Sequence, residues 1–119
     1  MNKKLLKWLD YEFSSNSITG EDYKAFEKDF LGFIKKELKK KEIEFVTPCK
    51  NHYECACIIK NLKTNKFAYF SISDVRFFPN EWYYEILYRD CKNEKDWTGG
   101  NNRYCNLKDL IDNLEKITQ

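Results

Sequence analysis

The spacing of the apolar residues changes once along this chain, from a period of 3.6 to a period of 2, and that change restricts the fold more than any other feature. From Tyr23 to Leu38 the stripe Tyr23, Phe26, Phe30, Phe33 and Leu38, with Ile34 alongside, sits at helical spacing. A few residues later Ile43 and Phe45 alternate with Glu42 and Glu44, which is strand spacing. The helix has a start signal: Thr19 can cap it, Asp22 stands at the third helical position, and Ile18 can pack on Tyr23 as a hydrophobic staple. Lys35, Lys36, Lys39, Lys40 and Lys41 crowd its last turns, where cations suit the negative end of the helix dipole.

The same reading extends to both sides. Leu5, Leu6, Trp8, Leu9 and Phe13 give an earlier helix over Lys3 to Phe13, which Ser14 to Ser17 break as a turn. After Ile43 and Phe45, Pro48 ends the first strand. Tyr53 to Lys60, Phe67 to Ser73 and Trp82 to Arg89 read as three more, separated by turns near Lys50, Asn61 to Asn65 and Pro79. In the last of these, Trp82, Tyr84, Ile86 and Tyr88 share one face, and Tyr83, Glu85 and Leu87 the other. Asn106 can cap a final helix carrying Leu107, Leu110, Ile111, Leu114 and Ile117. Short connections favour a meander. The expected architecture is a single α+β domain over residues 1–119, with two N-terminal helices, a four-stranded antiparallel meander and a C-terminal helix in two layers.

With 119 residues there is room for one domain, and 42% hydrophobic with 17% aromatic residues is too apolar for a disordered chain. The formal net charge is only +2, and of 21 cationic residues three are Arg (Arg76, Arg89, Arg103). A DNA-reading domain carries a clearer basic excess and more of the bidentate cation. No run approaches the roughly 20 apolar residues of a membrane span, and Met1 to Asp10 reads as an amphipathic helix rather than a signal peptide. The expected location is the cytoplasm, where the five cysteines, an odd number, stay reduced.

Cys49, His52, Cys55 and Cys57 fall within nine positions, and sulfur with imidazole suits tetrahedral zinc. The spacing lacks two separated ligand pairs. In the preferred reading, a hairpin around Pro48 to His52 sets Cys55 against Phe45 and Cys57 against Ile43, and both thiols pack as core. No metal or other cofactor is therefore expected, with zinc on these four residues as the alternative. His52 is the single histidine, and no nucleophile signature or phosphate-cradling glycine loop accompanies it, so the chain reads as a non-enzyme. Cys91 and Cys105 bracket a long polar stretch from Asp90 to Tyr104, and nothing in the sequence sets them together.

That stretch is the most unusual part of the chain. Gly99 and Gly100 permit backbone angles closed to other residues, and Asp96, Asn101 and Asn102 can tie the loop to its own backbone. Long ordered loops tend to be functional. Trp97 there is either a plug over the sheet or a binding anchor.

The run Arg89-Asp90-Cys91-Lys92-Asn93-Glu94-Lys95-Asp96-Trp97-Thr98-Gly99-Gly100-Asn101-Asn102, with Ser71-Ile72-Ser73-Asp74-Val75-Arg76 before it, resembles small proteins of phages and conjugative elements of low-GC Gram-positive bacteria. Abundant Lys, Asn and Ile fit an AT-rich source. In size and layout the chain is similar to type II-A anti-CRISPR proteins, which inhibit Cas9. The resemblance implies a stoichiometric inhibitor, monomeric or a small homo-oligomer, that binds Cas9 or the Cas9–guide RNA complex. Many such inhibitors are acidic and occupy a DNA site. This near-neutral chain would use a local acidic patch, bind away from the DNA channel, or touch guide RNA or DNA through its lysines. The expected contacts are Asp96, Trp97, Thr98, Asn101 and Asn102, with Lys35, Lys36, Lys39 and Lys40 second. The alternative is a nucleic-acid-binding accessory protein of a mobile element, zinc-stabilised if the Cys/His cluster is filled.

Overall fold

The computed structural model describes Leu5 and residues 20–51, 54–72, 86–98 and 100–119. The expected helix over Lys3 to Phe13 lies outside these residues except for Leu5, which is helical and fully buried. The capping signals at Ile18 and Thr19, the turn at Pro79 and the positions Trp82 to Glu85 also lie outside them.

Helix α1 spans Gly20–Lys39 and buries Phe26, Phe30, Ile34 and Leu38 of the expected stripe; Phe33 is part-buried, Leu31, outside that stripe, is buried as well, and the Tyr23 side chain lies outside the described residues. Phe26 and Phe30, one turn apart, stack with centroids at 5.7 Å. The helix unwinds where Lys41 and Glu42 donate their amides to Leu38 and Lys39, and Glu42 takes a left-handed φ of 59°. This reversal feeds strand β1, Ile43–Asn51, followed by β2, Glu54–Asn61, β3, Phe67–Ile72, β4, Ile86–Cys91, and β5, Arg103–Cys105. Helix α2, Leu107–Ile117, closes the chain, with Asn106 capping it by accepting the Asp109 amide at 3.0 Å. The order in the sheet is β1-β2-β3-β4-β5, all antiparallel.

The α+β meander is thus present, with five strands among the described residues against the four expected. The extra strand comes out of the stretch read as loop. Its three residues are too few to show an alternation, and two of them are exposed.

The β1–β2 register also differs from expectation. Phe45 pairs with Ile59, and Ile43 with Asn61. Cys55 stands opposite Lys50 and Cys57 opposite Pro48. Pro48 does not end the strand, because β1 pairs on one side only in this sheet and a missing amide costs little on the other. Pairing continues to Asn51 with Glu54, so the turn is tighter than expected, and a bulge between Phe45 and Thr47 absorbs one residue. The core environment of the thiols survives the shift: Cys55 and Cys57 are both fully buried.

Both faces of the sheet are covered. Toward the helices, Cys55, Cys57, Ile59, Ala68, Phe70, Ile72 and Ile86 pack with α1, α2 and Leu5 in one core. Phe70 sits at its centre, 6.4 Å from Phe30 and 6.0 Å from Phe45 between ring centroids. Each fully buried side chain of this size contributes roughly 1.5–3 kcal/mol. On the opposite face, Ala56, Ile58 and Tyr69 form a smaller cluster with Phe67, Leu87, Cys91 and Trp97. A loop supplies that Trp, so the two-layer expectation holds for the helices and sheet and gains a partial third layer.

Candidate interaction surface

Strand β4 exposes to the loop-covered face every second residue from Leu87 to Cys91, with Arg89 between two apolar neighbours. Directly across from Arg89 lies Tyr69. The guanidinium carbon is 4.4 Å from the Tyr69 ring centroid, and Trp97 meets the same ring edge-on with centroids at 5.7 Å. Arg89 is only 9% exposed. Its Nη1 donates to Asn102 Oδ1 at 2.9 Å, and its Nη2 donates to the Trp97 carbonyl. Its Nε is buried with no hydrogen-bond partner among the described residues. Tyr69 donates its hydroxyl to Glu54 at 3.2 Å, and burial first, with the Glu54 charge, raises its pKa.

Ahead of these tethers the loop fastens to itself. The Lys92 amide donates to Asp96 Oδ2 at 2.8 Å, Asp96 to the Asn93 carbonyl at 3.2 Å, and Lys95 to Asn93 Oδ1 at 2.8 Å. Thr47, on β1, donates its hydroxyl to the Glu94 carbonyl at 2.9 Å, so the loop reaches across the sheet from β4 to β1. Gly100 has φ +85°, and a Cβ there would lie 2.3 Å from the Asp90 carbonyl oxygen. Only glycine lets the backbone pass so close to β4.

Of the expected contacts, Asp96 is part-buried and braces the loop, while Trp97 is part-buried and packs against Tyr69 on the outer sheet face. Thr98, Asn101 and Asn102 are exposed, Asn102 while tied to Arg89. Two residues that the sequence reading passed over complete this surface. Arg89 supports it from below, and Tyr104, 59% exposed, stands beside it on β5 opposite Leu87. A charged residue at an alternate position between Leu87 and Cys91 was the available signal for Arg89.

Lys35, Lys36 and Lys39 on α1, and Lys40 in the turn that follows it, are all exposed, and α1 packs on the other face of the sheet. The structure therefore does not bring the two expected contact sets together on one face. Lys40 pairs with Glu37 at 3.1 Å, and Lys41 pairs with Glu115 at 3.1 Å and Asp112 at 3.7 Å, joining the helix ends. Lys35 and Lys39 border a cleft with Phe45 and Leu62, the latter 48% exposed.

Among the described residues no cluster of three or more Cys, His, Asp or Glu side chains is placed to hold a metal ion. His52 lies outside them. The backbone of Cys49 pairs with Ala56 and with neither buried cysteine. Burial pushes the Cys57 thiol up to about 12 and, helped by the Asp96 and Asp90 charges, Cys91 up to about 11. Burial also raises Cys105. Cys91 lies at one end of β4 and Cys105 pairs with Ile86 at the other, packed against the opposite core, so the two do not meet.

No helix among the described residues is long and apolar enough to cross a membrane. Comparison of the chain with protein-family models, curated proteins and solved structures finds no match.

Proposed function

We propose that the protein is a binding module that acts by occupancy rather than by turnover, and that its target is the one named by the resemblance, Cas9 or the Cas9–guide RNA complex, in the cytoplasm of a bacterial host. The observation that carries the binding reading is the ordered loop over the outer sheet face. Its Thr98, Asn101 and Asn102 are presented to solvent beside an exposed Tyr104. An aromatic anchor amid adaptable polar groups on a fixed backbone is the composition that protein-recognition surfaces favour. The charges from 90 to 104 balance, with Lys92, Lys95 and Arg103 against Asp90, Glu94 and Asp96. Such a surface suits a polar protein face better than a phosphate backbone. The raised thiols support the non-enzymatic reading, since a nucleophilic cysteine needs a lowered pKa.

The test is Cas9 cleavage of target DNA with the protein titrated before and after guide loading. Loss of cleavage near equimolar protein is expected, and the order-of-addition difference identifies the blocked step. Full cleavage by several type II-A enzymes at large excess of folded protein refutes the target. In that case the lysines of α1 become the next site, with nucleic-acid affinity that falls steeply with salt as their signature.

A further inference from the structure

We propose that Arg89 is the positioning residue that sets the 92–102 loop in its binding conformation before any partner arrives; the inference deepens the binding reading above and rests on it for the identity of the partner.

The geometry is that of a two-point clamp. One guanidinium holds the Trp97 carbonyl with Nη2 and the Asn102 side chain with Nη1, so both ends of the segment that carries Thr98, Gly100 and Asn101 are tied to a single rigid plane. The plane itself is fixed, lying over the Tyr69 ring with Trp97 against the ring edge. Gly100, between the two tethers, brings the backbone against Asp90 on the same strand. Three separate devices therefore restrain the described residues between Trp97 and Asn102, and all three are anchored on β3 and β4.

Arginine is required for this and lysine does not replace it. An ammonium is a point donor on a flexible stem and cannot span two acceptors with fixed spacing while stacking on a ring. The position also carries a cost, because Nε is buried without a hydrogen-bond partner among the described residues. A buried unmatched donor is retained where the remaining donors are worth more than the loss. Fixing a residue's backbone costs roughly 1–2 kcal/mol. A loop ordered in advance spares the partner that cost at binding, which is the general source of affinity from preorganisation.

The experiment is amide hydrogen exchange on the isolated protein, followed by affinity for the Cas9–guide RNA complex, for wild type, Arg89→Lys and Tyr104→Ala. Arg89→Lys is expected to speed exchange at Lys92, Lys95, Asp96 and Trp97 by about tenfold or more, the scale of a charge-assisted hydrogen bond, while β2 and β3 amides keep wild-type rates. Tyr104→Ala is expected to leave loop exchange within about twofold of wild type, since neither tether's hydrogen bond involves Tyr104, and to weaken binding by about thirtyfold as an interface anchor does. Arg89→Lys weakens binding through the loop. Loop exchange unchanged in Arg89→Lys overturns the proposal. So does equal acceleration of the β2 and β3 amides, which would make Arg89 a general stabiliser. If wild type fails to bind the Cas9–guide complex, the target falls, and the exchange result alone still decides for or against Arg89.

Discussion

Replacing Gly100 with alanine tests the loop's dependence on one close backbone approach. At φ +85° an L side chain is disfavoured by about 1–2 kcal/mol before any contact is considered. The added Cβ would also lie 2.3 Å from the Asp90 carbonyl oxygen, well inside the 3.4–4 Å of ordinary contact. That oxygen belongs to β4, which at Asp90 is paired with Ala68 of β3, so the strand resists moving away. The loop must lift instead, and Trp97 with it. Together these effects predict a loss of about 2–4 kcal/mol, capped by the free energy of detaching the loop. At roughly 4 °C per kcal/mol for a chain of this size, Tm falls by about 8–15 °C. Urea denaturation followed by far-ultraviolet circular dichroism reads the loss as a lower midpoint. Gly32→Ala is the matched control. It lies exposed within α1 with nothing within 4 Å of the new Cβ, and a gain of roughly 0.5–1 kcal/mol is expected. A Gly100→Ala protein within about 0.5 kcal/mol of wild type would refute the steric argument.

Glu42→Gly relieves a left-handed φ of 59° at the α1–β1 corner, and a gain of about 0.5–1 kcal/mol is expected in the same denaturation assay. Alkaline pH should destabilise the fold. Burial raises the Cys57 thiol from 9.0 to about 12, so the unfolded chain releases this proton first, and the stability present below pH 9 is lost as pH rises from about 9 toward 12. The slope approaches about 1.4 kcal/mol per pH unit per thiol, and Cys57→Ala should flatten it. In native protein, Cys55 and Cys57 should resist a thiol reagent that labels both on unfolding, because both are fully buried. A chelator should leave Tm unchanged, given that these two cysteines pack in the helix-side core; stoichiometric zinc in protein purified without added metal would refute that expectation.

The parts of the fold that were legible in the sequence are those whose period is long enough to count. The apolar faces of α1 and α2, the Asn106 cap and the strands read around Glu54 to Lys60, Phe67 to Ile72 and Ile86 to Arg89 appear close to where the sequence puts them. Register was harder. Pro48 reads as a strand end because proline lacks an amide, yet that lack matters only where a neighbouring strand needs the donor, and sequence alone does not say which strand lies at a sheet edge. The loop was recognised as special from its length and its glycines. That it covers the sheet was one of two readings of Trp97, and the sequence did not separate them, because the outer face of the sheet becomes apolar only when Tyr69, Leu87 and Trp97 are brought together from three segments. Arg89 looked like the surface cation ending a strand. Its burial follows from the acceptors that the loop carries back to it.

The strand order has a consequence for how the chain is made. Each strand lies beside its neighbour in sequence, so pairing can proceed as the polypeptide leaves the ribosome, beginning with hairpins whose ends are close. The β1–β2 and β2–β3 turns close almost at once. Helix α2 follows the sheet in sequence, and its Leu107, Leu110 and Leu114 complete the core around Ile86. Until those residues emerge, the nascent sheet keeps part of its apolar face open to solvent. The interval between pairing of the strands and docking of α2 is therefore when the sheet is most vulnerable to aggregation and proteolysis.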